Sequence, residues 1–124
     1  MSAPSNRSRA LQPFDVVVVS FPYADGLAEK RRPAIVVSRP NLHAEYGLIW
    51  LAMVTSAENR GWNCDVAISD LKSAGLPSAS LVRPAKIATV DADCVLRKVG
   101  KLTPKDARAV SREIGQFMGG KNGG

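Results

Sequence analysis

Residues and segments that would mark several common protein classes are scarce in this chain. His43 is the only histidine among 124 residues, so two histidines cannot share acid–base catalysis. The two cysteines, Cys64 and Cys94, lie far apart in the sequence and lack the short spacing of zinc ligands. A zinc site would therefore need scattered ligands, and we expect neither a metal nor another cofactor.

Long apolar segments are also missing. The first twelve residues are polar and contain no apolar stretch of the signal-peptide type. No apolar run approaches the roughly 20 residues that a membrane-spanning helix needs. We therefore expect a cytoplasmic protein with reduced cysteines and no membrane association.

The overall composition is that of a globular protein with a basic excess. Hydrophobic residues make up 45% and charged residues 23% of the chain, and the length suits one domain. Seventeen lysines and arginines stand against eleven acidic residues, which gives a net charge of +6. An excess of this size favours an anionic partner, and nucleic acid is the first candidate.

The pattern of apolar runs and breaks predicts a mainly β domain. We expect a flexible N-terminal segment over residues 1–12, one domain over 13–118 and a flexible glycine-rich tail over 119–124. Short strands are expected where β-branched or apolar runs lie between turn residues, with an Asp25–Gly26 turn and a polar, turn-like stretch over 41–47. The expected strands cover residues 15–21, 34–38, 48–55, 65–69, 80–83, 86–90 and 94–101. Five to seven such strands followed by one helix predict a small barrel.

The C-terminal helix has the clearest start signal in the chain. Thr103 is the expected N-cap, Pro104 takes the first helical position, and Asp106 lies near the positive end of the helix dipole. Apolar residues then recur at steps of three and four, and Gly119–Gly120 ends the helix.

A basic segment precedes the second predicted strand. Pro33 disfavours helical geometry at Arg32, and an apolar run follows at once. On a loop at the mouth of a buried strand, Arg32 could hold phosphate with its planar fork, aided by Lys30 and Arg31. A solvated basic pair is the competing interpretation.

Several residues near the ends of later strands could also contact nucleic acid. Thr55 ends the central strand, where its hydroxyl could donate to a phosphate or satisfy the local backbone. Trp62 could stack on a base or pack on its own loop, whereas Trp50 is expected in the core. Arg83 and Lys86 would widen a basic surface or remain solvated. Asp91 and Asp93 lie in an expected turn, where aspartate is common without a metal.

These segments, in this order, resemble the MazF/PemK family of toxin–antitoxin endoribonucleases. The resemblance covers roughly residues 14–117 and rests on residues 30–38, 52–56, 81–91 and 99–104. Its most specific parts are Arg32–Pro33 with the strand that follows, residues 54–56 and residues 89–91.

The resemblance implies an SH3-like barrel, a homodimer and metal-independent, sequence-specific cleavage of single-stranded RNA, with translation and growth inhibited as a result. By position, the family's catalytic arginine falls on Arg32 and its catalytic threonine on Thr55, and Arg83 matches an arginine that some members use in catalysis. We expect the following residues to bind the RNA: Lys30, Arg31, Ser56, Trp62, Arg83 and Lys86. Ala85 stands where some members carry an acidic partner for the arginine corresponding to Arg83, and their loop histidine has no counterpart here. It also implies a cognate antitoxin, which we expect to carry an acidic segment. The alternative is a non-catalytic toxin of the same fold that binds a protein such as DNA gyrase, or a plain RNA-binding barrel.

Overall fold

One antiparallel sheet of six strands forms the body of the protein. The computed structural model describes residues 11–22, 29–59 and 61–120. The strands are β1 (Asp15–Pro22), β2 (Glu29–Val36), β3 (Leu48–Ser56), β4 (Val66–Ala67), β5 (Ser80–Asp91) and β6 (Val95–Lys101). Their order in the sheet is β4-β5-β3-β2-β1-β6, so β3 and β2 lie at the centre. The expected fold class, mainly β with a C-terminal helix, is confirmed, although the sheet itself is not closed.

Most of the predicted flexible ends, and the predicted Asp25–Gly26 turn, lie outside the described residues. Leu11 belongs to the described part and is buried in a hydrophobic cluster with Val17 and Val19 of β1. The packed part of the chain therefore includes Leu11, which lies within the N-terminal segment predicted to be flexible over residues 1–12.

The central strands are buried on both faces of the sheet. Val16, Ile35 and Ala52 belong to one hydrophobic cluster. Their neighbours in sequence, including Val17, Ala34 and Leu51, belong to the other cluster. Because successive side chains of a strand point to opposite faces, a strand covered on both sides needs a continuous apolar run. This geometry explains the valine-rich β1 and the long apolar β3.

Three α-helices lie in the described part of the chain: α1 (Pro40–Tyr46), α2 (Leu71–Ala74) and α3 (Pro104–Phe117). The helix α3 starts as predicted, and the Thr103 hydroxyl accepts a hydrogen bond from the backbone N–H of Asp106 at 3.2 Å. Buried Val110 and half-buried Ile114 pack α3 against the first cluster. None of the helices in the described ranges is long and apolar enough to cross a membrane.

Four predicted elements differ in the structure. The stretch expected as a turn over 41–47 is helix α1, because Pro40 supplies the first helical position and Gly47 caps the end with φ +68°. The strand expected over 65–69 is only the two-residue β4. The strand expected over 34–38 is β2, which begins at Glu29, so Lys30, Arg31 and Arg32 lie within a strand and not on a loop.

The fourth difference concerns β5, which unites the two strands expected over 80–83 and 86–90. Ala52 of β3 faces Ile87 of β5, whereas the next residue, Met53, faces Arg83. The residues between Arg83 and Ile87 thus form a bulge, which is a position where a strand tolerates a proline such as Pro84.

Candidate active site

Arg32 and Thr55 lie on neighbouring strands and face the same solvent-filled region. The β2–β3 pairing matches Ala34 with Met53. Two residues further along each strand, Arg32 and Thr55 follow on the same face, since side chains repeat every second residue. Both residues line a cleft of about 270 Å³ and an adjoining cleft of about 480 Å³. The sequence predicted both residues, and the sheet brings them together.

Both clefts are rich in positive charge. The smaller cleft is also lined by Arg83 and Lys86, with Phe21, Met53 and Ile87 forming its apolar part. The larger cleft is lined by Arg31 as well, and by Arg97 from the edge strand β6. Cations from three strands, β2, β5 and β6, thus converge on one surface, which raises the local concentration of an anionic ligand.

The Arg32 side chain is exposed and forms no hydrogen bond or ion pair with the described part of the chain. Its planar fork of donors is therefore available to an anion such as a phosphate. No neighbouring described carboxylate has to be displaced first.

Thr55 has a side-chain partner from the segment that follows β3. The Asn59 amide Nδ2 donates a hydrogen bond of 2.9 Å to Thr55 Oγ1. Asn59 ends a short 3₁₀ turn over Ala57–Asn59 and also lines the larger cleft. The hydroxyl of Thr55 accepts this bond and keeps its own hydrogen for another partner.

Arg83, in contrast, has three partners within the protein. Its Nε and Nη2 donate to the two carboxylate oxygens of Asp65 at 2.9 and 2.8 Å. Nη2 also donates to the backbone carbonyl of Asn59 at 2.8 Å. The guanidinium carbon lies 4.2 Å from the centre of the Trp62 ring. Arg83 therefore ties the segment after β3 to strand β5.

The pair of Asp65 and Arg83 is largely shielded from water, with side chains 3% and 14% exposed. Hydrogen bonds from Arg83 hold the pKa of Asp65 below its ordinary value, because they stabilise the carboxylate form. The same bonds raise the pKa of Arg83. Asp65 is thus the acidic partner of Arg83. It lies 18 residues before Arg83 in the sequence, whereas the position two residues after Arg83 is occupied by Ala85.

The remaining predicted site residues take different positions. Ser56 lines the larger cleft, and its Oγ accepts a hydrogen bond from the Glu58 backbone N–H at 3.2 Å. Lys30 is exposed opposite Phe21 of β1 and lines neither cleft. Trp62 also lines neither cleft, and Arg83 covers its ring. Trp50, expected in the core, is 43% exposed.

Sequence reasoning missed Asn59, Asp65 and Arg97 as members of this site. Asn59 and Asp65 lie in a polar segment whose residue types fit any surface loop. Arg97 lies in the strand expected over 94–101, and the pairing of β6 with β1 is what brings it to the larger cleft. Only the register of the strands, and the pairing of Thr55 with a residue four positions later, could have revealed them.

Residues 12–118 match the model of the PemK-like, MazF-like toxins of type II toxin–antitoxin systems. The chain belongs to this family. No curated protein sequence matches the chain.

Solved structures of MazF proteins share the fold of this family member. A MazE–MazF structure from Deinococcus radiodurans has a TM-score of 0.70 at 19% identity, covering 90% of this chain and 97% of the other. The Mycobacterium tuberculosis toxin MazF-mt6 has a TM-score of 0.66 at 20% identity, covering 82% and 93%. An endoribonuclease in complex with its cognate antitoxin from a mycobacterial species has a TM-score of 0.68 at 16% identity, covering 86% and 92%.

Proposed function

We propose that this MazF/PemK family member is an endoribonuclease that cleaves single-stranded RNA without a metal ion. One observation carries the proposal: Arg32, which has no hydrogen-bond or ion-pair partner among the described residues, and the hydroxyl-bearing Thr55 line the same two basic clefts. The mycobacterial relative described above as an endoribonuclease has the same fold, which adds support.

The chemistry of RNA makes this small set of groups sufficient. The ribose 2′-hydroxyl next to the scissile phosphate is a nucleophile supplied by the substrate itself. The enzyme has to orient that hydroxyl and stabilise the negative charge that grows on the phosphoryl oxygens. Neither task requires a histidine or a metal ion.

We assign the charge-stabilising role to Arg32. Its guanidinium supplies a positive charge and two parallel donors, which match the geometry of a phosphate. Thr55 supplies a neutral hydrogen bond to a phosphoryl oxygen. Arg31, Lys86 and Arg97 hold neighbouring phosphates, and Ser56 contributes a hydroxyl at the rim of the larger cleft.

Two protein partners belong to the proposal. We expect a homodimer, because α3 and strands β3 and β5 border an apolar groove with exposed Trp50, Ile87, Phe117 and Met118. We also expect a cognate antitoxin with an acidic segment that covers the basic clefts. Its binding should weaken as salt rises, since exposed charge pairs are screened.

The deciding experiment incubates the purified protein with a long single-stranded RNA in excess EDTA. We expect cleavage at a small set of sites, and the Thr55→Val variant should fold normally but cleave more slowly because it keeps the shape and loses the hydroxyl. Circular dichroism and thermal melting serve as the folding controls. A folded wild-type protein that binds RNA or DNA gyrase but leaves every RNA intact would overturn the proposal.

A further inference from the structure

The segment after β3 is connected to Thr55 through one continuous set of hydrogen bonds. Asp65 holds the guanidinium of Arg83 with both carboxylate oxygens. Arg83 holds the backbone carbonyl of Asn59, and the amide of Asn59 donates to the Thr55 hydroxyl at 2.9 Å. The question is what this set of contacts does for the site.

The direction of the last hydrogen bond decides how Thr55 can act. A hydroxyl has one hydrogen and two acceptor lone pairs, whereas the amide nitrogen of asparagine can only donate. With Asn59 Nδ2 against one lone pair, the hydrogen of Thr55 cannot point at Asn59. The hydrogen of the Thr55 hydroxyl can therefore point at an acceptor in the cleft, such as a phosphoryl oxygen.

Arg83 is poorly placed to act on the phosphate itself. Two of its nitrogens are used by Asp65, one of them also by Asn59, and Trp62 covers one face of its guanidinium. Turning the bidentate fork toward a phosphate would leave the Asp65 carboxylate, only 3% exposed, without its cation. Removing one partner of a shielded ion pair is costly.

We propose that Asn59 is a positioning residue that orients the Thr55 hydroxyl as a donor, and that Asp65 and Arg83 hold Asn59 in place. This inference rests on the proposed function. It assigns Arg83 a structural task within the site in place of the RNA contact expected from the sequence. It also gives Asn59 and Asp65 roles that the sequence did not suggest.

The first test compares variants of Asn59 in single-turnover cleavage of a mapped RNA substrate. Asn59→Ala should lower the cleavage rate about three- to tenfold, the range expected for one lost hydrogen bond. Asn59→Asp should lower the rate as much as Thr55→Val does. A carboxylate accepts a hydrogen bond from the Thr55 hydroxyl, and the hydrogen of that hydroxyl then points away from the cleft. Asn63→Ala is the matched control, since Asn63 is an exposed amide of the same segment and does not line either cleft.

A second measurement separates positioning from a general loss of structure. In the Thr55→Val background, Asn59→Ala should have no further effect on the rate, because the hydroxyl that it orients is gone. Affinity for a substrate with a 2′-deoxyribose at the cleavage site should stay within about twofold of wild type, as Asn59 orients a donor and supplies no charge. A rate loss that is fully additive with Thr55→Val would overturn the inference.

Asp65→Asn distinguishes the two roles of Arg83 by the sign of the effect. If Arg83 serves to hold Asn59, loosening it should lower the cleavage rate while leaving RNA affinity equal or higher. If Asp65 merely restrains an arginine that acts on the phosphate, releasing Arg83 should raise the rate, and that result would overturn the inference.

The outcomes for the two proposals are distinct. A wild-type protein that cleaves no RNA overturns the proposed function and this inference with it. The positioning role alone is overturned if the wild-type protein cleaves RNA and Thr55→Val cleaves it more slowly, but Asn59→Ala and Asn63→Ala both cleave it at the wild-type rate. Thermal melting and tryptophan fluorescence of each variant identify any that fail to fold.

Discussion

At the scale of single residues, the site depends on the contrast between two arginines. Arg32 has no partner among the described residues, whereas Arg83 is held by Asp65, Asn59 and Trp62. Arg32 can bind a phosphate without first breaking a bond to a described residue. Arg83 can offer a phosphate its edge of Nε and Nη2 only by giving up its bonds to Asp65. The two side chains are chemically identical, and their surroundings give them different tasks.

This contrast predicts a large effect of Arg32 on cleavage. Arg32→Ala should lower the cleavage rate by about 10²–10³, as loss of a preorganised donor to a developing charge does. Arg32→Lys should restore little, since an ammonium cannot reproduce two parallel hydrogen bonds. Single-turnover rates in EDTA measure both effects.

The control for Arg32 is Arg108→Ala, which removes an exposed arginine from helix α3 that lines neither cleft. It should cleave at the wild-type rate. If Arg32→Ala is folded and equally active, the site has been assigned to the wrong residue.

At the scale of elements, helix α3 is fixed to the sheet by one buried carboxylate as well as by its apolar face. Asp106 is 3% exposed, and its Oδ2 accepts hydrogen bonds from the backbone N–H and the hydroxyl of Ser69 at 2.8 and 2.9 Å. The sequence predicted Asp106 for the helix dipole, whereas the structure adds a tie to the segment after β4. This tie joins the C-terminal helix to the short edge strand.

Asp106→Ala should therefore lower the free energy of unfolding by about 1–3 kcal/mol, because the Ser69 donors lose their acceptor. Asp106→Asn should lose less, since one amide oxygen can still accept both bonds. Urea denaturation measures both values, with Asp93→Ala, an exposed aspartate, as the control that should change little. Equal stability of Asp106→Ala and wild type would contradict this role.

The ion pair of Asp65 and Arg83 makes a second element, the segment after β3, sensitive to acid. Arg83 holds the pKa of Asp65 below the ordinary value, which is about 4 for aspartate. A carboxylate with a lowered folded-state pKa contributes stability that is present above the ordinary value and is lost as the pH falls through the folded-state value. The pair therefore stabilises the fold throughout the neutral range.

Melting temperatures of wild type and Asp65→Asn should differ by a constant amount from about pH 5 to pH 8. The difference should shrink as the pH falls below about 4, where Asp65 of the unfolded wild type takes up a proton, and should be lost as the pH passes the lower pKa of the folded state. Comparing the two proteins at each pH removes the contribution of the other carboxylates. A difference that stays constant down to the lowest pH at which both fold would show that the pair does not contribute.

At the scale of the whole molecule, the basic clefts and the apolar groove are neighbours on the sheet. Ile87 of β5 lines both the smaller cleft and the groove, and helix α3 borders the groove on its other side. Phe117 and Met118 at the end of α3 are 61% and 55% exposed. A second copy that covered this groove would bury these side chains and would lie next to the smaller cleft.

This arrangement predicts that Phe117→Asp shifts the protein from dimer to monomer, because a charge at the centre of an apolar interface must be desolvated. Sedimentation at micromolar concentration measures the change. Tyr46→Asp is the matched control, since Tyr46 is an aromatic residue that is 69% exposed on α1 and does not border the groove. A wild-type protein that sediments as a monomer would contradict the expected homodimer.

The sequence by itself determined the strongest local features of the protein. A continuous β-branched run makes β1 a strand buried on both faces, and Thr103 with Pro104 starts α3 whatever surrounds it. It also indicated Arg32 and Thr55, because the residues around them carry the family resemblance. Local sequence was less reliable where weak preferences compete: residues 41–47 are polar enough for a loop, but Pro40 and Gly47 make them helix α1.

Only the tertiary structure decided which of the basic and polar residues form the site. Arg31, Arg32 and Arg97 look alike in the sequence, and strand register alone brings them to the same cleft. Asp65 meets Arg83, and Asn59 meets Thr55, because the segment after β3 folds back over β5. The physical reason is range: strand and helix signals act between neighbours in the chain, whereas a charged or hydrogen-bonding side chain takes its role from partners brought close in space by pairing elsewhere.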